Sequence, residues 1–406
     1  MLCGLAKFAD GNSLLIPMDN MQKNHLKAYG LVYHVLSQDA EVKWLLNYRG
    51  GSFLFDLAPD FVQEARVRGV TFEIISPARE NAILEEIESP AVNMGLVQMA
   101  KAPRVAVYSP KNEIVEDETD AVITVLGYAE IPFDIIYDEE VLADSLLKYD
   151  WLHLHHEDFT GQNKRFMWRG SSMLESKLLE ISAGRLGYAK VSHMKLDVAK
   201  KIKAFCAGGG YLFAMCSAAE TFDIALAAEG VDIIESYYDG DDMDADAQSR
   251  LDFTKSLAFE NYTLELEERR FSDINIERDF YNRSMGYFTL FDFSAKWDVI
   301  PSLLTQNHTR VIREFTGLTT AFNKYVVKPE TLVMGENRQA SNVRYVYGEL
   351  GKGHWTYYSG HDPERAPGRG WGRMNTNLDL YPNSPGYRLI LNNVLFPSAK
   401  KKKQKT

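Results

Sequence analysis

Residues 194–229 read MKLDVAKKIKAFCAGGGYLFAMCSAAETFDIALAAE, and this stretch decides the fold class. Apolar residues recur at helical spacing over 194–207, Gly208, Gly209 and Gly210 stop that helix, 211–215 is a short run of buried type, and helical spacing resumes over 218–229. A helix, a strand and a helix in strict succession predict parallel β-α-β units with helices on both faces of one sheet.

The same alternation extends outward. Upstream, 105–109, 132–137 and 151–155 read as strands, with helices over 117–129 and 139–147. Closer to the N-terminus, 14–18, 42–48 and 70–75 read as strands. Helices are predicted from a cap at Asp19 or Asn20 to about Leu36, over 61–68 and over 78–88, and Ala102-Pro103 marks a boundary. Beyond Gly230 the pattern turns β-like, with strands at 264–266, 288–293, 332–334, 343–348 and 355–359, and a closing helix at 385–396. The predicted organisation is a floppy end or signal remnant (1–13), an N-terminal α/β region (14–103), a core (104–230 with 350–397), a β-rich elaboration packed on that core (231–349) and a basic tail (398–406).

Composition narrows the function classes. The chain has 406 residues, 45% of them hydrophobic, which suits an ordinary folded protein with a large core. Its three cysteines, Cys3, Cys206 and Cys216, form no stapled framework. The formal charge of −11 disfavours a nucleic-acid-binding body, and five lysines lie within residues 399–406, so the rest is more acidic still. Apolar runs fall short of the ~18 residues a membrane helix needs. The start, MLCGLAKFA, fits either a cytoplasmic protein or one exported to the periplasm if it belongs to a signal peptide.

Chemistry concentrates where strands end. In GYLFAMCSAAE (210–220), Cys216 lies between a strand and a helix, and a nucleophile on such a sharp turn requires small neighbours, which Ala214 and Ala218 provide. The positive end of the following helix favours a thiolate, and the Ser217 N–H is placed to hold an oxyanion. The same residues also suit a buried structural cysteine, the reading that fits Cys206 inside its helix. In GHWTYYSGHDPE (353–364) a β-like run ends at Gly360, so His361 sits at a strand tip as a candidate base, with Asp362 or Glu364 to orient it.

A third cluster, HLHHEDFTGQ (153–162), follows another strand. Alternation puts His153 and His155 on one face and His156 on the other, and His155, His156, Glu157 and Asp158 are expected to line a substrate pocket. Imidazole with carboxylate suits zinc, but no H-x-x-x-H or C-x-x-C spacing occurs, so neither metal nor cofactor is expected. Asp242, Asp244 and Asp246 imitate a calcium loop but lack its glycine and closing glutamate, and Arg49-Gly50-Gly51-Ser52 reads as a turn.

The strand order, the Cys216 turn and His361-Asp362-Pro363-Glu364 together resemble the class I glutamine amidotransferase-like superfamily. That resemblance implies a flavodoxin-like three-layer parallel sheet and a Cys-His-Glu triad formed by Cys216, His361 and Glu364. Over more of the chain, LLIPMDNMQKNHLKAYG (14–30), LNYRGGSFLF (46–55), YDWLHLHHEDFTGQ (149–162), LFAMCSAAETFDIALAAEGVDI (212–233), LYPNSPGYRLILNNVLFP (380–397) and KKKKQKT (400–406) are similar to a bacterial family named asparagine synthetase B. The name implies ATP-dependent transfer of glutamine nitrogen to aspartate. Yet no Ser-Gly-Gly-x-Asp-Ser loop occurs, and Leu2 separates Met1 from Cys3. The expectation is therefore an amidotransferase- or amidohydrolase-like protein with a small amide or acyl substrate. The alternative is a non-catalytic ligand-binding or surface-associated protein that keeps the fold.

Overall fold

A computed structural model describes residues 11–109, 120–155, 157–162, 171–266, 270–276, 286–313, 315, 319, 321–364 and 376–400. Cys3, His156 and the lysines beyond Lys400 lie outside the described residues. The first part of the chain forms β1 (Ser13–Ile16), α1 (His25–Ser37), β2 (Val42–Leu46), β3 (Ser52–Asp56), α2 (Pro59–Val67), β4 (Glu73–Ile75), α3 (Pro77–Glu88) and β5 (Gly95–Met99). Its strands pair antiparallel in the order β4-β1-β3-β2-β5. Helix α1 starts later than a cap at Asp19 or Asn20 predicts, because Asn24 takes the capping role and accepts the Lys27 N–H at 2.9 Å. Asp19 is instead ion-paired with Arg49.

The second part gives β6 (Val105–Tyr108), α4 (Ala121–Ala129), β7 (Asp134–Ile136), α5 (Asp138–Leu142), β8 (Trp151–Leu154), α6 (Ser171–Arg185), α7 (Val191–Gly208), β9 (Tyr211–Met215) and α8 (Ala218–Ala227). Short α9 (Ser236–Asp239) and α10 (Ala247–Arg250) lead to β10 (Tyr287–Leu290), α11 (Val299–Leu304), β11 (Val311–Arg313), β12 (Phe322–Asn323), β13 (Leu332–Asn337), β14 (Asn342–Leu350), β15 (Gly353–Tyr358) and α12 (Pro385–Leu395). Strands β7-β6-β8-β9-β15 run parallel in that order. Apolar β9 lies between β8 and β15, and Leu212 to Met215 are buried, as expected of a strand covered on both faces.

This sheet is mixed, where alternation alone predicts a parallel one. Residues 231–349, expected as an elaboration packed on the core, extend the same sheet: β14 pairs antiparallel with β15, and β13, β10 and β11 follow outward. The stretch 264–266 contributes only an isolated bridge from Leu264 to Ser272. Among the described residues, no helix is long and apolar enough to cross a membrane. Lys400 at the head of the basic tail pairs with exposed Glu41 at 2.5 Å.

The two sheets are joined through α1, α4 and α12 around one apolar cluster. Arg388 of α12 is fully buried and donates to the Met18 carbonyl at 2.9 Å, to the Gly50 carbonyl and to the Tyr29 hydroxyl at 3.1 Å. On α1, Gly30 lets the backbone of α4 approach so closely that a Cβ there would stand 1.7 Å from the Ala129 carbonyl oxygen. Gly127, on α4, has open space instead. Gly30→Ala is therefore expected to lower stability in urea unfolding by about 3 kcal/mol through overpacking, while Gly127→Ala raises it by up to about 1 kcal/mol. Equal stability of the two variants would refute the close helix contact.

Candidate active site at the strand tips

Three adjacent parallel strands, β8, β9 and β15, deliver one group each to a common point past their carboxyl ends, and Asp120, which opens the helix after β6, stands behind them. After β9, Cys216 adopts a left-handed backbone with φ of +54°. Its N–H donates to the Gly360 carbonyl at 3.0 Å, just past β15, and the Ala218 N–H donates to the His155 carbonyl at 2.9 Å, just past β8. The turn is thus tied to both neighbouring strand tips, and α8 begins directly behind it. Among the described residues no carbonyl takes the intervening Ser217 N–H. Gly360 permits this arrangement with its φ of +86°, and a Cβ there would stand 2.4 Å from that of Phe315.

His155, Cys216 and His361 are all buried, and one ring nitrogen of each histidine and the Cys216 sulfur lie within 4.8 Å of one another. The two imidazoles stack with centroids 4.3 Å apart. Behind them, Asp120 Oδ2 is 2.9 Å from His155 Nδ1 and 3.2 Å from His153 Nε2. Its other oxygen caps α4, accepting the Val122 and Ile123 N–H groups at 2.6 and 3.1 Å. Burial pushes the Asp120 carboxyl up, but the His155 and His153 rings outweigh it and hold the group well below the usual carboxylate range. His153 is fixed from its other side, with Nδ1 3.2 Å from the Phe213 carbonyl.

The carboxylates expected to orient His361 have other engagements. Asp362 accepts the Glu364 N–H at 2.8 Å and the Thr376 hydroxyl at 2.6 Å. Glu364 accepts the Ser384 hydroxyl at 2.5 Å and lies 3.8 Å from Arg313; burial raises its carboxyl pKa against both partners. Glu157 is buried and offers its carbonyl to the Thr221 hydroxyl at 2.6 Å, while Asp158 closes a turn onto Thr160. Cys206 is a core residue, donating to the His354 carbonyl at 3.3 Å, and burial pushes its thiol up to about 12.

Sequence reasoning missed Asp120 and Glu220, and placed His153 on the face of His155 without giving it a role. Asp120 was legible as an N-cap, an acid directly before the apolar run that opens α4. Glu220, in the first turn of α8, accepts the Ser272 and Thr319 hydroxyls at 2.6 and 2.9 Å. Burial pushes its carboxyl up to about 7, against those two hydroxyls and Arg270. The Thr319 carbonyl takes the Gly360 N–H at 3.0 Å, which links Glu220 through Gly360 to the Cys216 turn.

No family model and no curated protein matches the chain. Two cytoplasmic proteins of Salmonella typhimurium are structurally similar, at 13% identity with a TM-score of 0.36 and at 12% with 0.37; each likeness covers 73% of this chain and 100% of the other. A catalytic mutant of a GH42 beta-galactosidase from G. stearothermophilus matches over 64% of this chain and 27% of its own, at 12% identity and a TM-score of 0.29. Likenesses this weak assign no activity.

Two stability measurements test the geometry. The left-handed Cys216 backbone is strained for any residue but glycine, so Cys216→Gly is expected to exceed Cys216→Ala in stability by about 1 kcal/mol. Equal midpoints in denaturant would remove the strain. For Glu220, a folded pKa near 7 against the ordinary carboxyl value of 4.5 means that the native state holds the proton more tightly. Its contribution is complete below pH 4.5 and is lost as pH rises through about 7, a decline of about 3 kcal/mol. Glu220→Gln flattens that part of the stability profile, and an unchanged slope would refute the assignment.

Proposed function

We propose that the chain is a cysteine-dependent amidase or amidotransferase of flavodoxin-like architecture, acting on a small amide or acyl substrate. The parallel strands support the architecture: β7-β6-β8-β9-β15 is the doubly wound order 2-1-3-4-5, in which ligands bind past the carboxyl ends at the point where the strand order reverses. One observation carries the activity, a left-handed Cys216 at a strand-helix turn with two imidazoles near its sulfur.

Two imidazoles can serve as base, His361, which the sequence singles out, and His155. We assign the role to His155, because a base works best when a third group holds its other nitrogen, and Asp120 stands 2.9 Å from His155 Nδ1. The Cys216 thiol gives its proton to His155, and the thiolate attacks the acyl carbon. The Ser217 N–H and the positive end of α8 meet the oxyanion, and His361 borders the same space. Collapse of the tetrahedral intermediate breaks the C–N bond, and the imidazolium proton leaves with the amine. Water then cleaves the thioester, releasing the acid and restoring the thiol. Glutamine is the first amide to test, since the family name implies glutamine nitrogen.

Iodoacetamide labelling near neutral pH, read by peptide mass, tests the nucleophile, and ammonia release from glutamine and a panel of small amides tests the reaction. Cys216 is expected to label far faster than Cys206. His155→Gln is expected to lower amide turnover by about a hundredfold or more, and Asp120→Asn to lower it as well. Labelling of Cys216 as slow as that of Cys206 would favour a non-catalytic binding protein instead.

A further inference from the structure

We propose that His155, Cys216 and His361 also form a binding site for one zinc-class cation, which silences the nucleophile by occupying its sulfur. The binding stands on geometry alone; only the silencing rests on the reading of Cys216 as nucleophile. Three donors come from three different strand tips and lie within 4.8 Å of one another, all buried. A tetrahedral zinc ion with bonds of about 2.0–2.3 Å needs donors roughly 3.3–3.7 Å apart. The site therefore needs only a small closure, which rotation of the two imidazoles and the thiol can supply.

Donor chemistry sets the class of ion. One thiolate and two imidazoles select Zn²⁺ and its neighbours over Mg²⁺ or Ca²⁺, which prefer oxygen. Three protein ligands leave a fourth position for water. The second layer is present too: a metal-binding imidazole usually presents its other nitrogen to a carboxylate, and Asp120 stands at His155 Nδ1 at 2.9 Å. Asp120 in turn is held by the α4 N-terminus and by His153, so the carboxylate is fixed before any ion arrives.

The other clusters do not compete. Asp120, His153 and His155 converge as well, but Asp120 is engaged as the helix cap and serves as the outer layer. Asp232, Asp239 and Asp241 converge on the surface, yet their charge is answered by Lys190, which lies 2.8, 3.1 and 2.6 Å from them. On coordination the Cys216 thiol releases its proton to solvent and the ion exchanges bound waters for sulfur and nitrogen, with no change of oxidation state. A chelator reverses the process.

Cobalt(II) titration of the metal-free full chain tests the site, because a thiolate-to-cobalt charge-transfer band reports sulfur ligation directly. The expected result is one equivalent bound, with a band that zinc displaces and that Cys216→Ser abolishes. His361→Gln is expected to weaken binding at least tenfold, and Asp120→Asn about ten- to a hundredfold. Blocking Cys216 in the unaltered chain with methyl methanethiosulfonate, then releasing it with reductant, must remove and restore the band, so the test survives a variant that fails to fold. Absence of the band, or a band indifferent to blocking, overturns the site. Labelling kinetics separate the two readings. Fast metal-free labelling that one equivalent of zinc leaves unchanged, with no cobalt band, removes the site and keeps the nucleophile. Slow metal-free labelling with a cobalt band removes the nucleophile and keeps the site.

Discussion

The site depends on two backbone hydrogen bonds, from Cys216 to Gly360 and from Ala218 to His155. They continue, past the ends of the strands, the parallel pairing of β9 with β15 and with β8. A residue that leaves a central strand into a helix has to turn sharply, and here the turn is held from both sides rather than left to loop entropy. That is how a left-handed cysteine persists: the strain at one residue is small beside the pairing of two flanking strands that over-determine its position. His155 and His361 come near the sulfur for the same reason, since one follows directly on β8 and the other lies three residues past β15, both strands in register with β9.

Burying so many polar groups beside an apolar core demands that each be answered. Asp120 does most of this. One oxygen satisfies the first turn of α4 and the other faces two imidazoles, so a single carboxylate joins a helix terminus to two side chains of β8 and its tip. A neighbouring network works similarly: Lys195 of α7 donates to Asp138 at 2.9 and 3.0 Å and to the Tyr108 hydroxyl at 2.7 Å, which ties α7 to the ends of β6 and β7. Glu220 is the contrast. Two neutral hydroxyls do not offset its burial, and its carboxyl holds its proton to about pH 7.

Much of the parallel core was legible because its strands are apolar runs covered on both faces. The stretch 211–215 was read to its residue boundaries, and Cys216, His155 and His361 were each singled out at a strand end. Their convergence was expected only through the family resemblance, since it follows from strand order, which local periodicity does not encode. Strands β3 and β5 were missed because Arg49-Gly50-Gly51-Ser52 was read as a turn without its return strand, and because 95–99, GLVQM, is too short and too mixed to stand out. Helix α6 escaped for another reason: Leu178, Leu179 and Ile181 crowd together and set up no steady period. In 231–349 strands β10, β13 and β14 were visible while the very short β11 and β12 were not, and pairing with β15 is a long-range choice, because nothing local distinguishes a strand that extends a sheet from one that packs upon it.

The partner of the candidate base shows why proximity in sequence misleads at such sites. Asp362 and Glu364 adjoin His361 along the chain, which made them natural orienters. In the fold they also engage Ser384, Thr376 and Arg313. Asp120 is far away in sequence but stands at the start of the helix that follows β6, the strand paired with β8. In a parallel sheet the groups that meet an imidazole come from the tips of neighbouring strands more readily than from its own loop. On the proposed reading this places His155 ahead of His361 as the proton carrier, and the carboxylate that backs it in that role is the one that would back it as a metal ligand.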